Sequence, residues 1–223
     1  MLTEEEVRFL YRLSRFKPEA GVIVEIGSFK GKSTIALASG AAGGLNAKVY
    51  AIDPHLPIPE EGYSEYTEAE FLRNIDAWGV GDCVVPMITT SERAAENWSR
   101  PIRLLWIDGD HRYGAVRLDF KLWEPHVVEG GIIAMHDSIR KPGVKRVLWE
   151  EVFRSGRFRD IMIVDNITAV RKVKKVSPGG VCRKWATLAL RAIYIAARKS
   201  RVPYSKPLGR RLLRRLTVPR WVP

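Results

Sequence analysis

Seven short apolar runs, most of them closed by a glycine or an acid and separated by stretches with helical periodicity, constrain this chain more than any other feature. Val22-Ile-Val-Glu-Ile26 lies between Gly21 and Gly27 and is followed by the small, helix-compatible segment Ser33 to Ser39. The pattern then recurs. Lys48 to Ile52, Cys83 to Ile88, Ile102 to Ile107 and Gly131 to Met135 read as strands, alternating with helices over Thr67 to Trp78, Ser91 to Trp98 and Tyr113 to Glu124. Such alternation predicts an α/β fold with a mostly parallel sheet, doubly wound, with helices on both faces. After a helix around Val144 to Phe153, the runs Arg159 to Val164 and Thr168 to Val173 flank a tight Asp165-Asn166 turn. They add a C-terminal antiparallel hairpin strand to a seven-stranded sheet. At the other end Thr3-Glu-Glu-Glu6 has the spacing of a capping box, ahead of apolar residues at helical intervals. A second box is expected at Thr67-x-x-Glu70.

Charge divides the chain. From Arg171 to Pro223 there are 16 Lys and Arg and no acid, which leaves 21 basic against 25 acidic residues in residues 1–170. This predicts a mildly acidic domain over 1–175 and a basic extension over 176–223 with a partner of its own. The opening MLTEEEVRFL carries acids where a signal peptide would be basic, and no apolar run is long enough to span a bilayer. A cytoplasmic location is therefore expected. Cys83 and Cys182 stand in no metal or redox spacing.

The loop Gly27-Ser-Phe-Lys-Gly-Lys-Ser-Thr34 resembles a phosphate-binding P-loop, and Leu104-Leu-Trp-Ile-Asp108 resembles the acidic strand that accompanies one. The spacing argues against it. A P-loop needs its first glycine five positions before the second, where this chain has Ile26, so the loop is one residue too short to wrap a triphosphate. In parallel sheets ligands bind beyond the carboxyl ends of the strands. Those positions hold Glu25, Gly27, Ser28, Gly31 and Ser33, then Asp53, then Thr89 to Ser91, then Asp108-Gly-Asp-His111, then His136-Asp-Ser138. An acid ending the second strand suits the two hydroxyls of a ribose. A nucleoside cofactor is expected.

At these residues the chain resembles the class I S-adenosylmethionine-dependent methyltransferases, Rossmann-like in fold, and within them the metal-dependent O-methyltransferases. Val24 to Ser33 is similar to their first motif, Ile52-Asp53 to their second, and Leu105-Trp-Ile-Asp-Gly-Asp-His111 with Gly130-Gly-Ile-Ile-Ala-Met-His-Asp137 to an IDGDH and GGxxxxHD branch. The likeness covers about residues 20 to 172. It implies cofactor contacts from Glu25, Gly27, Ser28, Gly31, Ser33, Asp53, Ser91 and Asp108. It implies Mg²⁺ held by Asp108, Asp137 and His136, and transfer of a methyl group to a hydroxyl of a sugar, glycolipid, small polyol or phenol. His111 occupies the place of a general base, with Asp108 beside it. The chain departs from the family at Ser138, where catechol-type members carry Asn, and at His136, where some sugar-methylating members carry an acid. Residues 54–66, rich in Pro with Tyr63 and Tyr66, are a candidate lid.

The extension has its own pattern. Trp185, Leu188, Ala189, Ala192, Ile193 and Ala196 share one helical face, and Lys184, Arg191 and Arg198 recur seven apart on another. Residues 177–223 thus suit an anionic membrane surface, at about 1 kcal/mol per engaged basic residue. The peripheral site would be the inner face of the membrane. RNA, for an RNA methyltransferase, is the alternative partner of the same charge. Packing on the core or a homodimer contact is the remaining reading.

Overall fold

A computed structural model describes residues 1–16, 21–43, 47–57, 64–199, 205–219 and 222. The chain opens with helix α1 (Glu4–Arg15), strand β1 (Val22–Ile26), helix α2 (Lys32–Ala42) and strand β2 (Val49–Ile52). Helix α3 (Glu68–Ala77), strand β3 (Val84–Met87), helix α4 (Ser91–Ala95), strand β4 (Ile102–Ile107), helix α5 (Tyr113–Trp123) and strand β5 (Val127–Met135) follow. Helix α6 (Pro142–Val147) runs into a π-turn (Leu148–Phe153), then strands β6 (Phe158–Val164) and β7 (Ile167–Lys172), and helices α7 (Pro178–Lys199) and α8 (Ser205–Thr217).

The seven strands lie in the order β3-β2-β1-β4-β5-β7-β6. All neighbours are parallel as far as β5, and β7 runs antiparallel to both β5 and β6. This is the doubly wound sheet and terminal hairpin that the alternation predicts. The chain reverses its direction of winding between β1 and β4, so their carboxyl ends border the crevice where such folds bind ligands.

The sheet is buried on both sides, and alternate residues of one strand serve different cores. Leu105 and Ile107 join Phe120, Trp123 and Val144 on one face, whereas Leu104 and Trp106 join Leu10, Leu13, Leu37 and Phe71 on the other. Gly40 lets α1 approach α2, since a Cβ there would lie 1.9 Å from Ser14 Oγ and 2.3 Å from the Tyr11 carbonyl. The fully buried Arg103 holds the end of α1 in place by donating to the Ser14 and Phe16 carbonyls at 2.6 Å.

Several local expectations change on folding. The box at Thr3 and Glu6 forms in full. At Thr67 it does not, because the hydroxyl is 2.9 Å from His55 Nδ1 instead. Gly130-Gly131 does not begin β5 but bends it from within. Gly130 has φ +83°, and a Cβ on Gly131 would lie 2.8 Å from Val127. Helix α4 stops at Ala95, short of Trp98, whose ring packs edge-on against Tyr50 and Trp123. The middle of the expected lid, residues 58–63, lies outside the described residues.

The last two helices lie against the sheet. Thr217 of α8 accepts a hydrogen bond from the Ile163 amide at 3.0 Å, covering the edge strand β6, while Leu213 is buried in the first core and Val222 in the second. Arg214 pairs with Glu5 of α1. Helix α7 docks through Leu188, Leu190 and Ile195, which pack on the first core, and through two cations. Lys184 Nζ reaches the Val152 and Ser155 carbonyls at the end of the π-turn, and Arg191 donates to the Ser138 carbonyl at 2.6 Å. Val181, Trp185 and Ile193 remain exposed. Among the described residues no helix is long and apolar enough to cross a membrane.

Candidate functional site

The first strand end builds a tight, acid-lined loop. Gly27 has φ +85° and Gly31 φ +88°, conformations that cost glycine little. A Cβ at Gly27 would lie 2.4 Å from the Asp108 carbonyl, so the loop sits flush against the end of β4. Glu25 is fully buried beneath it. Its Oε2 accepts from Thr34 Oγ1 at 2.5 Å, while Oε1 has no hydrogen-bond partner, and neither has the buried Ser28 Oγ. Burial pushes the Glu25 carboxyl up to about 8, against hydrogen bonds from Ser33 and Thr34 and with help from the negative charges of Asp108 and Asp53. It is therefore a neutral acid at pH 7.

Two residues of the loop have different tasks from those a P-loop would give them. Lys32 Nζ donates to the Leu2 carbonyl at 2.8 Å and fastens the N-terminus. Ser33 is buried in the first turn of α2, beside Glu25. At the end of β2, Asp53 is held by two backbone amides, Phe29 to Oδ2 at 2.8 Å and His55 to Oδ1 at 2.7 Å. Its carboxylate is fixed in place and retains further lone pairs for a ligand's hydroxyls. Ser91 is engaged elsewhere, accepting from Trp123 Nε1 at 2.8 Å beside Asp119.

The ends of β4 and β5 bring together the second group. His136 Nδ1 lies 3.0 Å from Asp108 Oδ1 and 3.9 Å from Asp137 Oδ2; His111 Nε2 lies 3.3 Å from Asp137 Oδ2 and 3.7 Å from Asp108 Oδ1. Donor atoms of Asp108, His111 and His136 all lie within 4.8 Å of one another, so His111 joins the expected metal residues in space. Asp137 adopts φ +48°, the left-handed conformation, which turns the chain sharply after β5.

Glu6 is the residue that sequence reasoning misses. It is fully buried, accepts from the Thr3 amide at 2.7 Å and the Asn166 amide at 2.8 Å, and places Oε1 3.6 Å from His136 Nε2. The capping box explained its presence completely, and nothing local signals that α1 carries it to the sheet. Burial works against a charged His136, but the Asp108 hydrogen bond and the charges of Asp108 and Glu6 prevail and push the imidazole up to about 10. In the free protein His136 is thus an internal cation that relieves the crowding of carboxylates.

This geometry can hold a cationic nucleoside-type ligand over the Glu25 loop, a cation among Asp108, Asp137 and the imidazoles, and a proton on His111. A family model described as a methyltransferase domain matches residues 24–138. Among solved structures the chain is similar to the O-methyltransferase NovP, with 17% identity over 76% of this chain and 80% of that one and a TM-score of 0.64. It is also similar to an O-methyltransferase from Bacillus cereus in complex with SAH (20% identity, 77% and 83% covered, TM-score 0.57). An rRNA methylase from Streptococcus thermophilus is a third (15% identity, 78% and 99% covered, TM-score 0.54). At such identities the likeness establishes the fold.

The Glu25 proton has a consequence for stability. Below about pH 4.5 the carboxyl is neutral in both states; between there and pH 8 the unfolded chain releases a proton that the folded one retains, so stability falls as pH rises. Glu25→Gln removes this dependence. Urea unfolding should show the variant equal to the parent near pH 4 and more stable by about 2–4 kcal/mol at pH 8. A constant difference across that range would contradict the assignment.

Proposed function

The chain belongs to the methyltransferase-domain family and is an S-adenosylmethionine-dependent methyltransferase, and we propose that it methylates a hydroxyl oxygen of a small amphiphilic acceptor such as a glycolipid, polyol or phenol. The observation that carries this reading is the pairing of two buried atoms without hydrogen-bond partners, Glu25 Oε1 and Ser28 Oγ, with a fixed carboxylate at Asp53. An α-ammonium group satisfies the buried acid, and ribose hydroxyls satisfy Asp53. Transfer forms an O–CH₃ bond as the S–CH₃ bond breaks in line, leaving a neutral thioether.

The chain's own groups manage the proton and the charge. His111 Nε2 faces the carboxylates of Asp108 and Asp137, which stabilise the imidazolium formed when it accepts the acceptor's hydroxyl proton. Asp108, Asp137 and His136 suit a divalent cation, which when bound would lower the pKa of the acceptor hydroxyl. An imidazole in the donor set favours Mn²⁺ over the harder Mg²⁺. As a ligand His136 would have to be neutral at Nδ1, with its Nε2 3.6 Å from the Glu6 carboxylate.

His111 cannot both ligate a cation and accept a proton, so one variant separates the roles. With His111→Ala, thermal shifts should show stabilisation by Mn²⁺ retained and turnover reduced at least ~100-fold. Asp108→Asn should lose both. Loss of the Mn²⁺ shift in His111→Ala would move that residue from base to ligand.

We further infer that 176–223 is an extension that brings the methyltransferase domain, 1–175, to an anionic membrane surface. Its support is the orientation of α7, whose basic residues Lys184 and Arg191 face the protein while Val181, Trp185 and Ile193 face outward. Exposed Trp and aliphatic side chains on a helix rich in Lys and Arg suit a membrane interface. The alternative acceptor, RNA, finds support in the charge of the tail and in the rRNA methylase likeness. Cosedimentation with anionic vesicles should persist at high salt through the inserted side chains; binding to RNA, with release from vesicles by salt, would favour the alternative.

A further inference from the structure

Between the π-turn and α7 lies a groove of about 420 Å³ lined by Trp149, Phe153, Leu188, Arg191, Ala192 and Ile195. Everything in that lining is apolar except Arg191. Its Nη2 donates to the carbonyl of Ser138, the residue after Asp137, and its guanidinium lies 5.5 Å from the centre of the Phe153 ring. Its Nε is buried with no hydrogen-bond partner, and among the described residues no carboxylate pairs with it. Burial alone acts on its charge, holding the guanidinium below its ordinary range. Trp149 and Trp185 stand edge to face at 6.4 Å beside the groove, both about half exposed.

An uncompensated cation at the inner side of an apolar groove is costly unless an anion completes it. Its position ties the groove to the reaction centre, since one guanidinium both lines the groove and grips the turn that carries Asp137. We propose that this groove is the acceptor subsite and takes an anionic amphiphile, its alkyl or aryl body on Phe153, Leu188 and Ile195 and its acidic group on Arg191. The inference rests on the methyltransferase reading, and adds the class of acceptor. Carboxylate and phosphate share the required chemistry, and a guanidinium serves either.

The test is titration of the full-length protein with decanoate, decyl phosphate, decanol and inorganic phosphate, followed by tryptophan fluorescence. Decanoate or decyl phosphate should saturate the signal, with decanol and inorganic phosphate at least ~10-fold weaker, because each lacks one of the two contacts. The tighter of the two anions identifies the acidic group. Arg191→Gln should bring decanoate down to the affinity of decanol. Ala192→Phe, at an exposed position, should fill the groove and weaken both by at least ~10-fold. No saturable change, equal affinity for decanoate and decanol in the parent, or indifference to Ala192→Phe would overturn the proposal. Binding of S-adenosylmethionine, measured on the same samples, separates the outcomes: its retention with an unresponsive groove defeats the subsite and leaves the methyltransferase reading in place.

Discussion

Too many carboxylates meet at the ends of β1, β4 and β5, and the arrangement of the site follows from how their charge is relieved. Glu6, Glu25, Asp108 and Asp137 converge there, with Glu6 and Glu25 fully buried. Like charges at such distances in a poorly solvated place cannot all stand. Glu25 keeps its proton, His136 gains one, and the remaining deficit is an attraction for cations. A sulfonium cofactor is itself a cation, so the same electrostatic condition favours the methyl donor.

The scaffold that permits this crowding is ordinary, and most of it was legible. The alternation of strands and helices, the terminal hairpin and the first capping box follow from apolar periodicity and turn residues, because a parallel sheet buried on both faces demands continuous runs such as Ile102 to Ile107. What escaped was decided by contacts distant in sequence. The hydroxyl of Thr67 went to His55, Trp98 left its helix for two other rings, and Gly131 lies inside a strand it had been expected to begin.

The site shows the same division. Glu25, Asp53, Asp108, His111, His136 and Asp137 were visible because strand ends can be located from sequence. Glu6 was not, since it comes to His136 by the packing of α1, a contact that depends on Gly40 as well as on Arg103. The sidedness of α7 was hidden for a related reason. Its apolar stripe would ordinarily face the core. The carbonyls of the π-turn and of Ser138 take Lys184 and Arg191 as well, so Leu188, Leu190 and Ile195 reach the core while Val181, Trp185 and Ile193 are left outside.

Isothermal titration with S-adenosylmethionine and with ATP, in two buffers of different ionisation enthalpy near pH 7, tests the central claim most directly. An ammonium placed on Glu25 Oε1 should expel the proton of that acid. The account predicts that S-adenosylmethionine binds with release of close to one proton, and that ATP does not bind. Binding without proton release would contradict the role given to Glu25. Binding of ATP alone would return the Gly27 loop to the phosphate chemistry its spacing argues against.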